Sequence, residues 1–405
     1  MKEVKYLVLG GGPSGLTFLR SMLDKGNTDI FLLEKEDSAG GLCRSIDVDG
    51  APLDIGGGHF LDVRRPEVTE FAFRFLPKEE WDFYERDSRI SIGEYMIGHP
   101  FEANIWQFPD EIQNEYLESI KAAGCNNGSP CPERFVDWIR WKLGDKIADD
   151  YMLPYNSKMF SDDLNDLGTY WLSKLPDVDY EDTLKSCQNK HPYGKQPGHA
   201  QFYYPHEYGY GELFIRMADS MKEYIKYNAR VTKLDVKNRI VTLADGETIK
   251  AEVIVTTIPY QSIDDISGLS DSSMRGIENL KSTSVEIRYF SESLDTKAQW
   301  IYIPDPDISY HRILVRSNFT PNGRGYWTET RSERIQPAND GSLYRYVNEY
   351  AYPLNTIGKV EIMASLLDEL KANKIFGLGR WGEHDHYNSD LVMAKAMELS
   401  LRFNE

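Results

Sequence analysis

The sequence predicts an α/β fold built on a Rossmann-type dinucleotide-binding domain. Residues 6–34 read as a strand, a glycine-rich turn, a helix and a second strand that ends in an acidic residue. Residues 109–155 carry helical spacing, and residues 283–350 alternate between apolar and polar side chains in short runs typical of antiparallel strands. These patterns together indicate a nucleotide-binding sheet, an inserted helical subdomain and a second, antiparallel sheet.

The turn after the first strand has the spacing G-x-G-x-x-G. Gly10 permits the tight turn, Gly12 lets the backbone approach a pyrophosphate, and Gly15 lets the following helix pack close to the strand. The start of that helix offers N–H groups to phosphates, and Glu34 can accept hydrogen bonds from a ribose diol. The unit therefore predicts a dinucleotide site, in preference to a glycine-rich turn that binds nothing.

The rest of the chain divides into interleaved parts. The dinucleotide-binding domain is assigned to residues 1–80, 205–265 and 355–405, the helical subdomain to residues 105–200, and the sheet domain to residues 81–104 and 266–354. Residues 81–92 read as one strand, and residues 176–200 as a long polar loop of the kind that forms lids. In the helical part, Gly144 is expected to end a helix that starts near Pro132.

Composition argues against several classes of partner. The 405 residues carry a net charge of −18 with no long basic run, which disfavours nucleic acid and anionic membrane surfaces. No apolar window approaches the roughly 20 residues that a bilayer requires. The cysteines form no C-x-x-C pair, and the chain begins on a strand without a secretory leader, so we expect a reduced, cytoplasmic setting. Homo-oligomerisation stays open.

Two segments after Glu34 distinguish FAD from NAD. The segments Gly40–Ser45 and Asp54–His59 follow in the order that resembles the start of the amine oxidase, protoporphyrinogen oxidase and UDP-galactopyranose mutase superfamily. The resemblance implies a GR2-like FAD-binding domain, in which the first segment runs beside the FAD phosphates and the second passes the isoalloxazine ring. The expected cofactor residues are Gly10, Gly12, Pro13, Ser14, Gly15, Glu34, Lys35, Gly41, Leu42, Arg44, Gly57, Gly58, His59, Val231, Thr256, Gly379, Arg380 and Ser389.

Further segments resemble the eukaryotic-type UDP-galactopyranose mutases more closely. Arg89-Ile90-Ser91 with Pro100-Phe101-x-x-Asn104 is similar to R-I-S … Y-P-F-Q-x-N, and Pro154-Tyr155-Asn156-x-Lys158 to P-Y-N-x-K. Tyr310-His311-Arg312 with Ser317-Asn318-Phe319 is similar to F-Y-R … S-N-Y. The resemblance covers nearly the whole chain.

This resemblance implies a flavoenzyme that interconverts the pyranose and furanose forms of a nucleotide sugar, as cell-surface polysaccharide synthesis requires. In that family, reduced FAD acts as the nucleophile through an N5 adduct, so NAD(P)H or another reductant is an expected partner. Arg312 matches the arginine that clamps the pyrophosphate, and His59 matches a histidine beside the flavin. Asn156, Tyr302 and Tyr352 fall at substrate positions.

The chain departs from the family pattern in the substrate pocket. A second pyrophosphate arginine corresponds to Leu175, which leaves Lys174 as the neighbouring cation, without a bidentate fork. Family tyrosine, glutamine, tryptophan and tyrosine positions are occupied by His99, Glu102, Phe160 and Phe319. Because the flavin segments are retained, the departures favour a nucleotide sugar other than UDP-galactopyranose.

Two other classes are weighed beside the mutase. The first is an FAD-dependent oxidoreductase of the amine oxidase or protoporphyrinogen oxidase type, which transfers hydride to flavin N5. The second is a non-enzymatic FAD-binding protein, which the retained segments and Arg312 disfavour. His384 and His386, between Glu383 and Asp385, alternate as if on one side of the chain, but no third ligand is evident and no metal is expected.

Overall fold

The computed structural model describes residues 2–172, 177–195, 200–320, 322–336 and 340–403. Lys174 lies outside these ranges. The helices are α1 Pro13–Leu23, α2 Pro66–Phe73, α3 Asp110–Ala122, α4 Phe135–Ile147, α5 Leu153–Met159, α6 Tyr180–Asn189, α7 Glu212–Asp219, α8 Asp271–Asn279, α9 Lys359–Ala372, α10 Gly379–Gly382 and α11 Ser389–Ser400. The strands are β1 Lys2–Leu9, β2 Ile30–Leu33, β3 Ser45–Val48, β4 Ala51–Asp54, β5 Leu61–Asp62, β6 Trp81–Glu85, β7 Ser88–Ile92, β8 Tyr95–Gly98, β9 Gln201–Pro205, β10 Ile225–Lys226, β11 Val231–Asp235, β12 Ile240–Leu243, β13 Thr248–Thr256, β14 Asp265–Ser267, β15 Ser282–Phe290, β16 Trp300–Tyr302, β17 Arg312–Leu314, β18 Tyr326–Arg331, β19 Tyr344–Pro353 and β20 Ile375–Gly377.

The nucleotide-binding sheet confirms the predicted Rossmann-type unit. Its strand order is β10-β2-β1-β13-β12-β11-β14, with β20 also paired to β13. Strand β1 lies parallel to both β2 and β13, and α1 connects β1 to β2. Both ends of the chain meet here, because the ring of Phe403 contacts Tyr6 and Phe18 with centroids 5.6 and 5.9 Å apart. The first strand and the last helices therefore share one core.

The second sheet is largely the antiparallel sheet that the alternation predicted. Its order is β19-β15-β18-β17-β16-β7-β8. One pair departs from the prediction, because β16 runs parallel to β7. Trp300 and Tyr302 of β16 are thereby placed between the early hairpin of residues 88–98 and the strand that carries Arg312.

The prediction of a single strand over residues 81–92 is wrong. The strand is interrupted after Glu85. Strand β6 pairs with β9 in a small three-stranded sheet, while β7 joins the large sheet. At the break, Arg86 donates to the Ser88 hydroxyl over 2.7 Å and the backbone N–H of Asp87 donates to the Gln299 side chain over 3.0 Å. Similarly, β14 and α8, assigned to the sheet domain, lie with the nucleotide-binding sheet.

One prediction in the helical part is corrected and another is confirmed. The segment 176–200, read as a loop, contains α6, whose first turn is capped by the Asp179 side chain accepting from Asp182 N over 2.8 Å. Gly144 has non-helical backbone angles, φ 78° and ψ 163°, beside the Ser119 carbonyl. The first helical stretch of α4 therefore ends at Gly144 as predicted, and a short second stretch continues to Ile147. Among the described residues, no helix combines the length and apolar character needed to cross a bilayer.

The close approach of α1 to β1 gives a first prediction. A Cβ on Gly15 would lie 2.0 Å from the Gly10 carbonyl oxygen, so Gly15→Ala should force the two elements apart. We expect a loss of about 1–3 kcal/mol of unfolding free energy, measured by chemical denaturation. Gly358→Ala is the matched control, because Gly358 has ordinary backbone angles at the start of α9 and open space around it. Equal stability of the two variants would contradict this account of the turn.

Candidate active site

Two cavities meet at the face where the glycine-rich segments gather. The first, called the nucleotide cavity, has a volume of 650 Å³ and runs from the end of β2 to the start of α11. The second, called the inner cavity, has a volume of 490 Å³ and lies between the large sheet and the helical part. His59 and Arg380 line both. A ligand in the nucleotide cavity can therefore present one end to the inner cavity.

Backbone and glycines shape the nucleotide cavity. A Cβ on Gly41 would lie 3.1 Å from the Cα of Gly12, so the two glycine segments approach closely. Glu34 lies at the end of β2, where its Oε2 accepts from Gly11 N over 2.6 Å and its Oε1 accepts from Glu36 N over 2.9 Å. Burial raises the pKa of Glu34, and these backbone hydrogen bonds oppose that rise. The carboxylate is held at the site that a ribose would occupy.

Two arginines supply positive charge to this cavity. Arg44 donates to the Tyr346 hydroxyl over 2.6 Å and to the Gly41 carbonyl over 3.2 Å. The three hydrogen bonds found for the Arg380 guanidinium go to the carbonyls of Ala351 and Tyr387, over 2.9–3.1 Å. Because carbonyls do not neutralise it, Arg380 keeps its charge available to an anion, and burial lowers its pKa. The cradle fits a dinucleotide whose pyrophosphate lies near these groups.

The structure brings together most residues expected to contact FAD. Those lining the nucleotide cavity are Gly10, Gly12, Pro13, Ser14, Glu34, Lys35, Gly41, Leu42, Arg44, His59, Val231, Arg380 and Ser389. Gly58 lines the inner cavity instead. Gly15, Gly57, Thr256 and Gly379 line neither. Gly15 and Gly379 are packing glycines, and Thr256 is fully buried while Thr257 lines the cavity.

His59 lies where the two cavities join. Its Nε2 is 3.2 Å from the Gly56 carbonyl oxygen. Burial, together with the charges of Arg380 and Arg312, lowers the pKa of His59 to about 3. The imidazole is therefore neutral near pH 7 and can exchange hydrogen bonds there without acting as a charged acid.

Arg312 is held by a buried carboxylate. On neighbouring strands, Arg312 Nε donates to Glu329 Oε2 over 2.8 Å, and a terminal nitrogen donates to the Tyr352 hydroxyl over 3.2 Å. Burial alone would lower the pKa of Arg312, but the charge of Glu329 raises it above its usual value. Glu329 Oε1 has no hydrogen-bond partner among the described residues and lies toward Gly57, whose added Cβ would be 3.1 Å away. The guanidinium is thereby oriented in the cavity wall.

Aromatic side chains form the remaining walls of the inner cavity. The ring of Tyr302 lies 5.2 Å from His99 and 5.4 Å from Tyr155. His386 lies 5.0 Å from Tyr352 and 6.4 Å from Phe160. Such walls exclude water and suit a flat or ring-shaped ligand.

Basic residues outnumber acidic ones in the inner cavity. Within the described ranges, the basic lining residues are Arg64, Arg65, Arg86, Lys142, Lys195, Arg312 and Arg380, and the acidic ones are Glu102, Glu329 and Asp390. Arg65 pairs with Asp390, and Arg86 donates to the Tyr302 hydroxyl over 2.8 Å while its guanidinium lies 4.5 Å from the Trp300 ring. Arg64 also pairs with Asp62 and Lys142 with Asp177, two carboxylates outside the lining, which reduce the positive excess without removing it. Since the whole chain carries −18, this local positive excess is a property of the site.

The residues expected to contact substrate divide into three groups. Those found in the inner cavity are Arg312, Asn156, Tyr302, Tyr352, His99, Glu102 and Phe160. Phe319 does not belong there. It is 2% exposed and stacks on Trp300, with centroids 5.7 Å apart, in the main core. Lys174 is outside the described residues, so its role stays a prediction.

Several lining residues escaped the sequence analysis. Trp138, Lys142 and Tyr151 come from the helical part, where their aromatic and basic pattern resembles an ordinary helix face. Glu329 faces Arg312 across two strands, and that register cannot be read from either strand alone. Arg86 marks a strand break that alternation does not reveal. In the sequence, the direct signal for such cavity residues is a basic side chain within an otherwise apolar segment.

His384 and His386 face different surroundings, contrary to the alternation. The ring of His384 is buried, with Nε2 3.0 Å from the Lys281 carbonyl oxygen, while His386 lines the inner cavity. Burial lowers the pKa of His384 to about 4. No cluster of three or more potential ligands for a metal occurs in the described part of the chain.

Two family models match the chain. Residues 8–75 match an NAD(P)-binding Rossmann-like domain, and residues 95–291 match a flavin containing amine oxidoreductase. The "uncharacterized protein in nifH2 3′region" of Methanothermococcus thermolithotrophicus is 35% identical over 103 residues, which are 23% of this chain and 99% of that protein. Because the match covers nearly all of that protein, the two belong to one family.

Solved structures share the whole fold. A reduced UDP-galactopyranose mutase has a TM-score of 0.88 at 21% identity, covering 99% of this chain and 93% of the mutase chain. A proposed protoporphyrinogen oxidase from Exiguobacterium sp. 255-15 has a TM-score of 0.72 at 14% identity, covering 100% and 98%. At these identities the likeness shows the fold, which is that of the FAD-dependent amine oxidases.

The held position of Glu34 leads to a prediction for the cofactor. Glu34→Ala removes the acceptor for the Gly11 N–H and the expected partner of the ribose. We expect FAD affinity to fall about tenfold or more, because hydrogen bonds to charged groups contribute about 1.5–3 kcal/mol. The measurement is FAD titration of the deflavinated protein, with Glu3→Ala, at an exposed position of β1, as control. Unchanged affinity would contradict the placement of the ribose.

Proposed function

We propose that this protein, a member of the amine oxidase superfamily of FAD-binding proteins, is a nucleotide-sugar mutase that uses reduced FAD. In this proposal, it interconverts the pyranose and furanose forms of the sugar without net redox change. The single observation that carries the proposal is the positive excess in the inner cavity. A dianionic diphosphate is the substrate group that such a wall accommodates.

The arginine fork accounts for how the diphosphate would be bound. Glu329 and Tyr352 hold the Arg312 guanidinium in one orientation, so little side-chain freedom is lost when an anion binds. Arg312 remains partly exposed, at 16% of its side-chain surface, on the cavity side. Arg380, with carbonyl partners, adds charge near the junction of the two cavities. The diphosphate would therefore lie between the flavin edge and the aromatic wall.

The remaining residues would position and protect the sugar. When bound, reduced FAD supplies the nucleophile toward the anomeric carbon, so the chain itself requires no Ser, Cys or carboxylate nucleophile. His59, neutral at the junction, can exchange a hydrogen bond with a sugar hydroxyl or with the ring system. Tyr352, Phe160 and His386 pack together and exclude water from the reacting centre.

An FAD oxidoreductase is the second candidate, and the amine oxidoreductase match over residues 95–291 favours it. An amine substrate would enter as a cation and would meet the basic wall of the inner cavity. A wholly apolar substrate would leave those charges without partners. The cavity chemistry therefore supports an anionic substrate, which for an oxidoreductase would have to carry its own negative group.

The first test is direct turnover. The dithionite-reduced protein is incubated anaerobically with UDP-, GDP- and dTDP-sugars, and products are separated by chromatography for ring isomers. We expect one class of nucleotide sugar to equilibrate between ring forms, and none to react with the oxidised protein. Rapid bleaching of oxidised flavin by an amine, with peroxide release in air, would instead establish the oxidoreductase.

The second test concerns the fork of Arg312. Arg312→Lys keeps a positive charge beside Glu329 but removes the bidentate geometry. We expect nucleoside diphosphate affinity, followed by the flavin difference spectrum, to fall about tenfold or more, since hydrogen bonds to charged groups contribute about 1.5–3 kcal/mol. Arg324→Lys is the matched control, because Arg324 is 64% exposed and pairs with Asp49. Equal nucleoside diphosphate affinity in the two variants would show that Arg312 does not bind the diphosphate.

A further inference from the structure

One carboxylate that lines the inner cavity keeps acceptor capacity for a ligand. Glu102, the first residue of a 3₁₀ turn that ends at Gln107, is 7% exposed and lines the cavity. Among the described residues, the donor found for its carboxylate is its own backbone N–H. Burial raises the pKa of Glu102 to about 7, opposed by that hydrogen bond and by the charge of Lys142. A carboxylate with one donor can accept further hydrogen bonds from a ligand in the cavity.

The surroundings of Glu102 have the form of a pocket for a flat ring. Trp138 and Lys142 stand one turn apart on α4, so both side chains lie on one face of the helix, and both line the cavity. The charge of Lys142 acts on Glu102. Tyr151 and Leu143 complete the apolar wall. Trp138 is only half-buried, which leaves indole surface available for stacking.

A series of aromatic contacts connects this pocket to the strand that carries Arg312. Tyr302 pairs with Arg312 across β16 and β17, and its ring lies 5.2 Å from that of His99, three residues before Glu102. Tyr155 lies between Tyr302 and Tyr151, with ring centroids 5.4 and 5.7 Å away. A nucleotide whose diphosphate binds Arg312 can therefore direct its base toward Glu102.

The acceptor geometry of Glu102 discriminates among bases. An ionised carboxylate presents two parallel acceptors. Guanine presents two parallel donors, N1–H and the N2 amino group, on one edge. Uracil and thymine present one N–H between two carbonyls, so a carboxylate oxygen would face a carbonyl oxygen. Adenine and cytosine present an amino group beside an acceptor nitrogen.

We propose that Glu102 binds the donor edge of guanine, so that the nucleotide sugar used by this protein is a guanosine diphosphate sugar. The inference rests on the proposed function and specifies its substrate class. Bidentate hydrogen bonds to Glu102 satisfy the buried carboxylate, and Trp138 covers a face of the base. A site built around two such hydrogen bonds rejects ligands that lack the donors, because the buried carboxylate is then left unpaired.

The test compares GDP with UDP on the FAD-loaded protein at pH 8, where Glu102 is largely ionised. Calorimetric titration measures both affinities in the native protein and in Glu102→Gln. We expect the native protein to bind GDP about tenfold or more tighter than UDP. In Glu102→Gln the ratio should fall at least tenfold, because an amide offers one acceptor and one donor. Loss of the negative charge of Glu102 should raise the affinity for both anions. The ratio of GDP affinity to UDP affinity is unaffected by that common gain.

Glu111→Gln, at an exposed position of α3, is the matched control and should keep the native ratio. Equal or tighter binding of UDP by the native protein would overturn the guanine assignment and leave the mutase proposal standing. An unchanged ratio in Glu102→Gln would overturn the role of Glu102. Failure of both nucleotides to bind would overturn the proposed function as well. Retention of FAD, seen in the visible spectrum, distinguishes each outcome from misfolding.

Discussion

The close packing of glycines around the first turn is the constraint on which the architecture depends. Added Cβ atoms would lie 2.0 Å from the Gly10 carbonyl at Gly15 and 2.0 Å from the Ser14 hydroxyl at Gly379. The first and last glycine-rich turns therefore touch, while β1 and β20 both pair with the central strand β13. Because β10–β14 also return to this sheet in the middle of the chain, the helical part and the strands β15–β19 are two separate excursions from one sheet.

The helical part and the second sheet supply most of the residues that line the inner cavity. The second sheet carries Arg312 and Glu329 on adjacent strands, and the helical part brings Lys142 to the opposite wall. Burial makes an isolated charge costly, and three of these cations have a defined partner: Glu329 for Arg312, carbonyls for Arg380, and Asp177 for Lys142. The result is a positive cavity inside an acidic protein. The proposal of an anionic ligand therefore rests on these charges and not on fold similarity.

Glu102 and His59 show how burial separates two roles in one site. Burial lowers the pKa of His59 to about 3 and raises that of Glu102 to about 7. The histidine is neutral where the two cavities join, while the carboxyl group lies in the wall of the inner cavity. In the proposed reaction, reduced FAD supplies the nucleophile at one end of the site, and Glu102 recognises the base at the other end.

The sequence by itself determined the local units: the glycine turn with Glu34 and most strands of the second sheet. Their spacing follows from backbone geometry within a few residues, which short-range patterns record. The sequence did not indicate α6 in the segment 176–200, the interruption between β6 and β7, or the core position of Phe319. Only the tertiary structure decided that Glu329 holds Arg312 and that Glu102 lies buried beside Lys142, because strand register and the docking of separate segments set those contacts.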